Sequence, residues 1–322
     1  LRRRSLSSLR REVEPVEAPA FARFLTSWHA MPAERRGLEA LVESIGQLQG
    51  AALVASALET YLLPLRVRGY RSVDLDELCT AGEIVWVGAG SIGATDGRIR
   101  IYFADQLAAL APAVEPIDPP EGELHAAIRA HLAERGASFW AQLRSATIGA
   151  TEAETLAALW DLVWAGEVTN DSLAPLRAVL AGARTRHAPA RSSSPGSLQR
   201  SRPRPGRLNR IGPPAGAGRW SLVAPLLEPK PTPTQAAHAA ALQLLERYGV
   251  LTREAVLAEG IVGGFTSVYG VLKVLEERGQ ARRGYFVSGL GAAQFSLPGA
   301  VDRLRSMRDT PDPDLHPEDV PA

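Results

Sequence analysis

The chain has 322 residues, of which 36 are basic and 35 acidic, for a net charge of +1. That length holds about two or three domains, and so balanced a charge excludes a whole-surface field for a polyanion, leaving only local basic patches. A single cysteine, Cys79, excludes an internal disulfide and a thiolate metal cluster and fits a reducing cytoplasm, and no run approaches the roughly 18 apolar residues of a membrane span.

In chain order, the start lacks Met and reads as a helix cut from a larger protein. Its Arg2, Arg3, Arg4, Arg10 and Arg11 either track a phosphate backbone or coat an amphipathic helix. Helical spacing follows at Phe21, Phe24, Leu25 and Trp28, and again at Leu38, Leu41, Val42 and Ile45. Helices are predicted over 51–63 and 72–81, then strands over 83–87 and 98–103 joined by a Gly-rich turn. Helices running into a β-hairpin is winged-helix order, and a first module is expected over 1–111.

A proline-rich break precedes a second module expected over 112–182, with helices at 121–135, 137–145 and 151–165. Thr151 and Glu154 stand at capping-box spacing, and a short amphipathic helix follows at 173–180. Residues 183–219 hold nine arginines and no acid, with few apolar side chains to bury, so they read as a disordered basic linker. A third module is expected over 220–308, with helices at 234–248, 252–259 and 264–278 and a wing over 281–297. Residues 309–322 read as an acidic, unstructured tail.

Three helix-to-wing junctions share one pattern. Leu75, Leu78 and Gly82 are spaced as Leu159, Leu162 and Gly166 are, and as Leu272, Leu275 and Gly279 are. Each Gly is followed by a polar and then an apolar residue. The leucines are suited to hold the helix on a core, the glycine to cap it left-handed, and the apolar residue to start a strand. The fold class is therefore mainly α with short β-hairpins (α+β), a tandem array of winged helices.

Binding chemistry points to the third module. Phe265, Val268, Leu272 and Leu275 should face inward, which turns Thr266, Ser267, Tyr269 and Lys273 outward as donors for phosphate and base edges. Gly263 and Gly264 leave bare backbone amides at the start of that helix. Arg282, Arg283 and Tyr285 add two cations and a stacking ring on the wing. The alternative is a solvated helix and an ordinary wing. In the first module Asp74, Asp76 and Glu77 would repel phosphate, which suits a structural role. Arg66, Arg68, Arg71 and Tyr70 form either a small basic contact or, more simply, a solvated loop. Trp160 and Trp164 either stack on bases or, more simply, fill a core.

No phosphate-binding loop, acidic box or His-pair spacing is present, so no catalytic residue, cofactor site or metal site is assigned. The carboxylates Glu152 and Glu154 suit a helix N-terminus.

Residues 3–16, with Arg3-Arg4-Ser5-Leu6 leading to Glu12-Val13-Glu14-Pro15-Val16, resemble the C-terminal region of Lhr (large helicase-related) helicases. So do residues 245–255 and the segment from Arg283-Gly284-Tyr285-Phe286 to Gln294-Phe295-Ser296-Leu297-Pro298. Tyr70-Arg71, Leu75-Asp76-Glu77-Leu78 and Gly82-Glu83-Ile84-Val85-Trp86 agree too. The resemblance implies an ATP-dependent DNA repair helicase whose motor domains, with their ATP and Mg, lie in the same parent chain but outside these residues. It implies DNA, single-stranded or duplex, as partner. It also raises a base-excision activity, since winged-helix DNA glycosylases carry glutamine motifs on a wing strand, where Gln294 stands. A third possibility is an oligomerisation or protein-docking scaffold.

Overall fold

The computed structural model describes residues 14–93, 96–114, 116–187, 212–291 and 293–308, with 183–187 as backbone alone. Three small antiparallel sheets organise it. In the first, β1 (Leu53–Val54) and β2 (Ile84–Ile92) flank β3 (Asp96–Phe103). In the second, β4 (Ser138–Phe139) and β5 (Val168–Asn170) flank β6 (Arg219–Leu222). In the third, β7 (Val250–Leu251) and β8 (Arg282–Gly284) flank β9 (Gln294–Ser296). The short first strand always pairs with the last.

The helices fit between these strands in the same order each time. The first unit has α2 (Gly37–Leu48) and α3 (Ser72–Thr80), and a short turn, Ala55–Ala57, widens between them into a π turn, Leu58–Leu62. A seven-residue helix, α4 (Ala104–Leu110), closes it. The second unit has α5 (Glu123–Arg135), α6 (Trp140–Ala146), α7 (Glu152–Trp164) and α8 (Ala174–His187). The third has α9 (Pro233–Tyr248), α10 (Arg253–Ala258), α11 (Gly264–Glu277) and α12 (Ala300–Ser306). The expected class holds: tandem winged helices, mainly helical, with small antiparallel sheets.

The three repeat junctions close alike. Glu83, Glu167 and Gln280 donate their N–H groups to Leu78, Leu162 and Leu275, five residues back. The capping glycines Gly82, Gly166 and Gly279 donate to Cys79, Val163 and Glu276. All three glycines sit at φ between +70° and +79°, the left-handed cap that other residues adopt only with strain. The paired leucines are buried at every copy, as are Ile84, Val168 and Ala281 at the strand starts.

Two expected boundaries move. Arg219–Leu222 does not open the third unit; it is the central strand of the second sheet, paired to Ser138–Phe139 and Val168–Asn170. The cause is Trp220, fully buried edge-on to Trp160. The wing connection of the second unit is thus residues 171–218, into which the arginine-rich stretch is inserted. The linker's residues 188–211 and the tail 309–322 lie outside the described residues.

The second move concerns α1 (Ala18–Trp28), expected in the first unit. Its Phe24 packs instead with Val250, Val287, Ala300 and Leu304 of the third, and the Trp28 indole donates to the Glu246 carbonyl at 2.8 Å. Val16 pairs with the wing, accepting from Ser288 N and donating to Phe286 O, both at 2.8 Å. An amphipathic face needs some core, and in sequence the nearest is not the one it finds.

The units are welded together. The first two share one continuous core from Ala40 to Trp220, and a Cβ on Gly88 would lie 1.7 Å from the Val163 carbonyl oxygen. The first and third meet through Arg247, whose Nε donates to Gln47 O at 3.0 Å while its Nη1 pairs with Glu259 at 2.5 Å. The Arg247 side chain is buried and that of Glu259 only 10% exposed.

Candidate nucleic-acid interface

Helix α11 buries Val268, Leu272 and Leu275, as its periodicity demands. Thr266, Ser267 and Lys273 are exposed on the other side. The Ser267 hydroxyl donates back to Gly264 O at 2.8 Å, which leaves its oxygen lone pairs outward. Tyr269 departs from expectation. Its ring is half-buried, edge-on to Phe295 at 6.0 Å and beside Phe265 at 5.7 Å, because a ring reaches round the helix to a core that a shorter side chain would miss. Only its hydroxyl is available, and that accepts a long hydrogen bond, 3.4 Å, from Arg283.

Arg282 and Arg283 are exposed on β8, and Tyr285 is 46% exposed just beyond. The Tyr285 hydroxyl accepts from Gly289 N at 2.9 Å, fixing the ring against its own wing turn. Beside this wing lies a shallow depression of about 510 Å³ lined by Arg282, Arg283, Arg305 and Glu276. Arg305 was not expected there. It comes from α12, which no motif marked. Among the described residues, neither Lys273 nor Arg282 has a carboxylate partner. The elements thus bring together Thr266, Ser267 and Lys273 on one helix face and Arg282, Arg283 and Tyr285 on the wing.

The equivalent helices of the other units are occupied. On α3, Asp76 accepts from Arg177 Nη1 at 2.7 Å and from Leu173 N at 2.9 Å. Glu59 takes the other edge of the same guanidinium at 2.6 Å and accepts from Tyr70 Oη at 2.5 Å. Burial alone would lower the Arg177 pKa, and the two carboxylates more than reverse it. Burial and the Glu59 carboxylate push the Tyr70 phenol well up. Asp74 is tied to Arg71. Of the acidic stretch that reads as phosphate repulsion, Asp76 is a docking point for α8, Asp74 pairs with the neighbouring Arg71, and Glu77 is exposed.

On α7, Trp160 is buried and donates to Ala215 O at 3.0 Å. Trp164 stacks obliquely on it at 5.2 Å and blocks any side chain at Gly97, where an added Cβ would lie 2.4 Å from the ring. Trp160 is core, and Trp164 packs half-buried against it. Thr151 and Glu154 form the expected capping box, and the Thr151 backbone and hydroxyl hydrogen bonds hold the Glu154 carboxyl below its usual range.

With this geometry in view, the likeness to known proteins is specific. Residues 16–104 and residues 230–316 each match the winged-helix domain of the large helicase-related protein. A Mycolicibacterium smegmatis protein named Lhr helicase/probable uracil glycosylase is 44% identical over 98% of the chain. An Escherichia coli protein named Lhr helicase/uracil glycosylase is 36% identical over 95% of it. The chain belongs to the large helicase-related family. It spans about a fifth of the length of these two curated relatives, since the match covers 21% of each.

In this Lhr chain, Gln294 is fully buried. Its carbonyl oxygen accepts from the N–H groups of Phe286 and Val287, each at 2.8 Å, and its amide donates to Val287 O and Leu290 O at 2.8 and 2.7 Å. Both ends of the amide are spent on shaping the wing. Arg66 is buried, not a surface contact, while Arg68 is exposed. The arginines before residue 14 lie outside the described residues. Among the described residues there is no cluster of three metal-ligating side chains, and no helix is long and apolar enough to cross a membrane.

Proposed function

We propose that the chain is the nucleic-acid-gripping accessory region of an ATP-dependent DNA repair helicase, and that DNA is held by the third winged helix. The observation that carries this is positional. One repeat position, directly after the first leucine of each junction, holds Asp76, Trp160 and Lys273. Asp76 is bound by Arg177, and Trp160 is buried with its indole donating to Ala215 O at 3.0 Å. Lys273 alone is a cation, exposed and without a partner among the described residues. A recognition helix meets phosphate with such groups, and phosphate contacts dominate affinity. The motor, with its ATP and Mg, belongs to other parts of the parent chain, and the first two units form the rigid platform between motor and grip.

The test is fluorescence anisotropy of single-stranded and duplex DNA with the 322-residue chain at two salt concentrations. Binding at low salt that weakens at high salt is expected. No binding at low salt overturns the reading.

A second reading rests on the names of the two relatives, both of which include a uracil glycosylase. Base excision by this chain predicts alkali-labile breaks in uracil-containing DNA. Intact strands at high protein concentration reject it. Gln294 is not a candidate for that chemistry, because its amide is already saturated.

A further inference from the structure

Between α1, α2, α4 and α9 lies an open cleft of about 1020 Å³. Two residues that line this cleft each carry a buried nitrogen with no hydrogen-bond partner, Arg66 at Nε and His29 at Nδ1. Arg66 is only 8% exposed. Its Nη1 reaches Leu62 O at 3.0 Å, and no carboxylate pairs with it among the described residues. A buried guanidinium with no counter-charge is costly, and so is a buried N–H left without an acceptor. Such an arrangement persists where something supplies the missing charge.

We propose that this cleft binds a phosphate group, with Arg66 and His29 as the two donors at its floor. Several features fix the class of ligand. The donors come from two different elements and converge on one site, which suits an oxyanion with several acceptor oxygens. Glu43, which also lines the cleft, is paired with Arg35. Asp105 and Glu246 line the cleft but are exposed, so water screens them from the floor. They oppose a continuous nucleic-acid backbone, whose charges would run along that rim. A compact phosphate monoester, on a free nucleotide or at the 5′ end of a strand, enters without meeting them. Arg303 and His238 stand beside the same opening.

The electrostatics of His29 give the readout. Its pKa is lowered to about 4 by burial first, then by the charges of Arg66 and Arg247, with hydrogen bonding to Gln47 and to the Arg247 backbone opposing. A bound phosphate reverses the effect of those cations and raises that value. By linkage each unit of rise is a tenfold gain in phosphate affinity for the protonated ring.

The experiment uses the whole chain with ¹⁵N-labelled imidazoles, titrated with inorganic phosphate at fixed ionic strength. A saturable change at His29, with its titration midpoint rising by about one unit, is expected, and Arg66→Met should abolish it. A nucleoside monophosphate and an oligonucleotide with or without a 5′-phosphate form the other arms. A response to the nucleotide assigns a free ligand, and a response confined to the phosphorylated oligonucleotide assigns a strand end. If Arg66→Met fails to fold, the wild-type titration decides. An unmoved His29 signal with every phosphate probe overturns the proposal, whatever the third winged helix does with DNA.

Discussion

Helices α3 and α11 are built on the same repeat and do opposite things. Each ends in the same glycine cap, and each buries its two leucines. The outward faces differ by one decision. At the position of Asp76 the first helix has a carboxylate locked to Arg177, and at the same position the third has Lys273 facing solvent. The first helix spends that position on holding the second unit in place. A winged helix is therefore not a DNA reader by its topology. The charge and freedom of one face decide.

The largest way to break this contrast is to release the first helix. Arg177→Ala leaves Glu59 and Asp76 facing each other in a half-buried site without their cation, and the cost should be about 2–3 kcal/mol, somewhat under that of a fully buried pair. Urea unfolding measures it. The folded fraction should bind DNA as the parent does, because α11 is untouched.

Next comes the third helix itself. Replacing Lys273, Arg282 and Arg283 together by Ala should weaken DNA binding about 10- to 100-fold at low salt and reduce the salt slope by about two to three. Stability should stay within about 0.5 kcal/mol, since all three are exposed. Replacing Asp74 and Glu77 by Ala on α3 should change DNA affinity less than about twofold in the same anisotropy assay. Equal losses from the two helices would erase the distinction between them.

Local chemistry made much of this legible in the sequence. The leucine and glycine spacing fixed the junctions because each is satisfied within one helix and its cap. The Thr151–Glu154 box was readable for the same reason. What stayed hidden was non-local. Strands of two residues, such as Leu53–Val54, have no periodicity to detect and exist only through pairing with a later strand. Trp220 finds its sheet across the whole 171–218 connection. The face of α1 announces burial and not which core will accept it. Asp76 was visible as an acid, but its partner lies 101 residues away, so repulsion looked like its purpose when attraction to Arg177 was. At the site, the cations and hydroxyls of α11 and the wing were legible from periodicity. Arg305 was not, because α12 carries no motif.

The smallest predicted effect is the most discriminating. Gly270 lies in the middle of α11 on its exposed side, where an added Cβ would meet nothing within 4 Å. The same repeat position is Val73 in the first unit and Ala157 in the second. A mid-helix glycine is less stable than alanine by about 0.5–1 kcal/mol, and no neighbour in the fold requires its bare backbone. Gly270→Ala should therefore raise stability by roughly that amount, read by urea unfolding. If a DNA backbone lies close against α11 between Thr266 and Lys273, the added methyl should at the same time weaken binding by about threefold to tenfold at fixed salt, with the salt slope unchanged because no charge is removed. Stability gained with affinity intact would move the contact off the helix and onto the wing, leaving Arg282 and Arg283 as the whole grip.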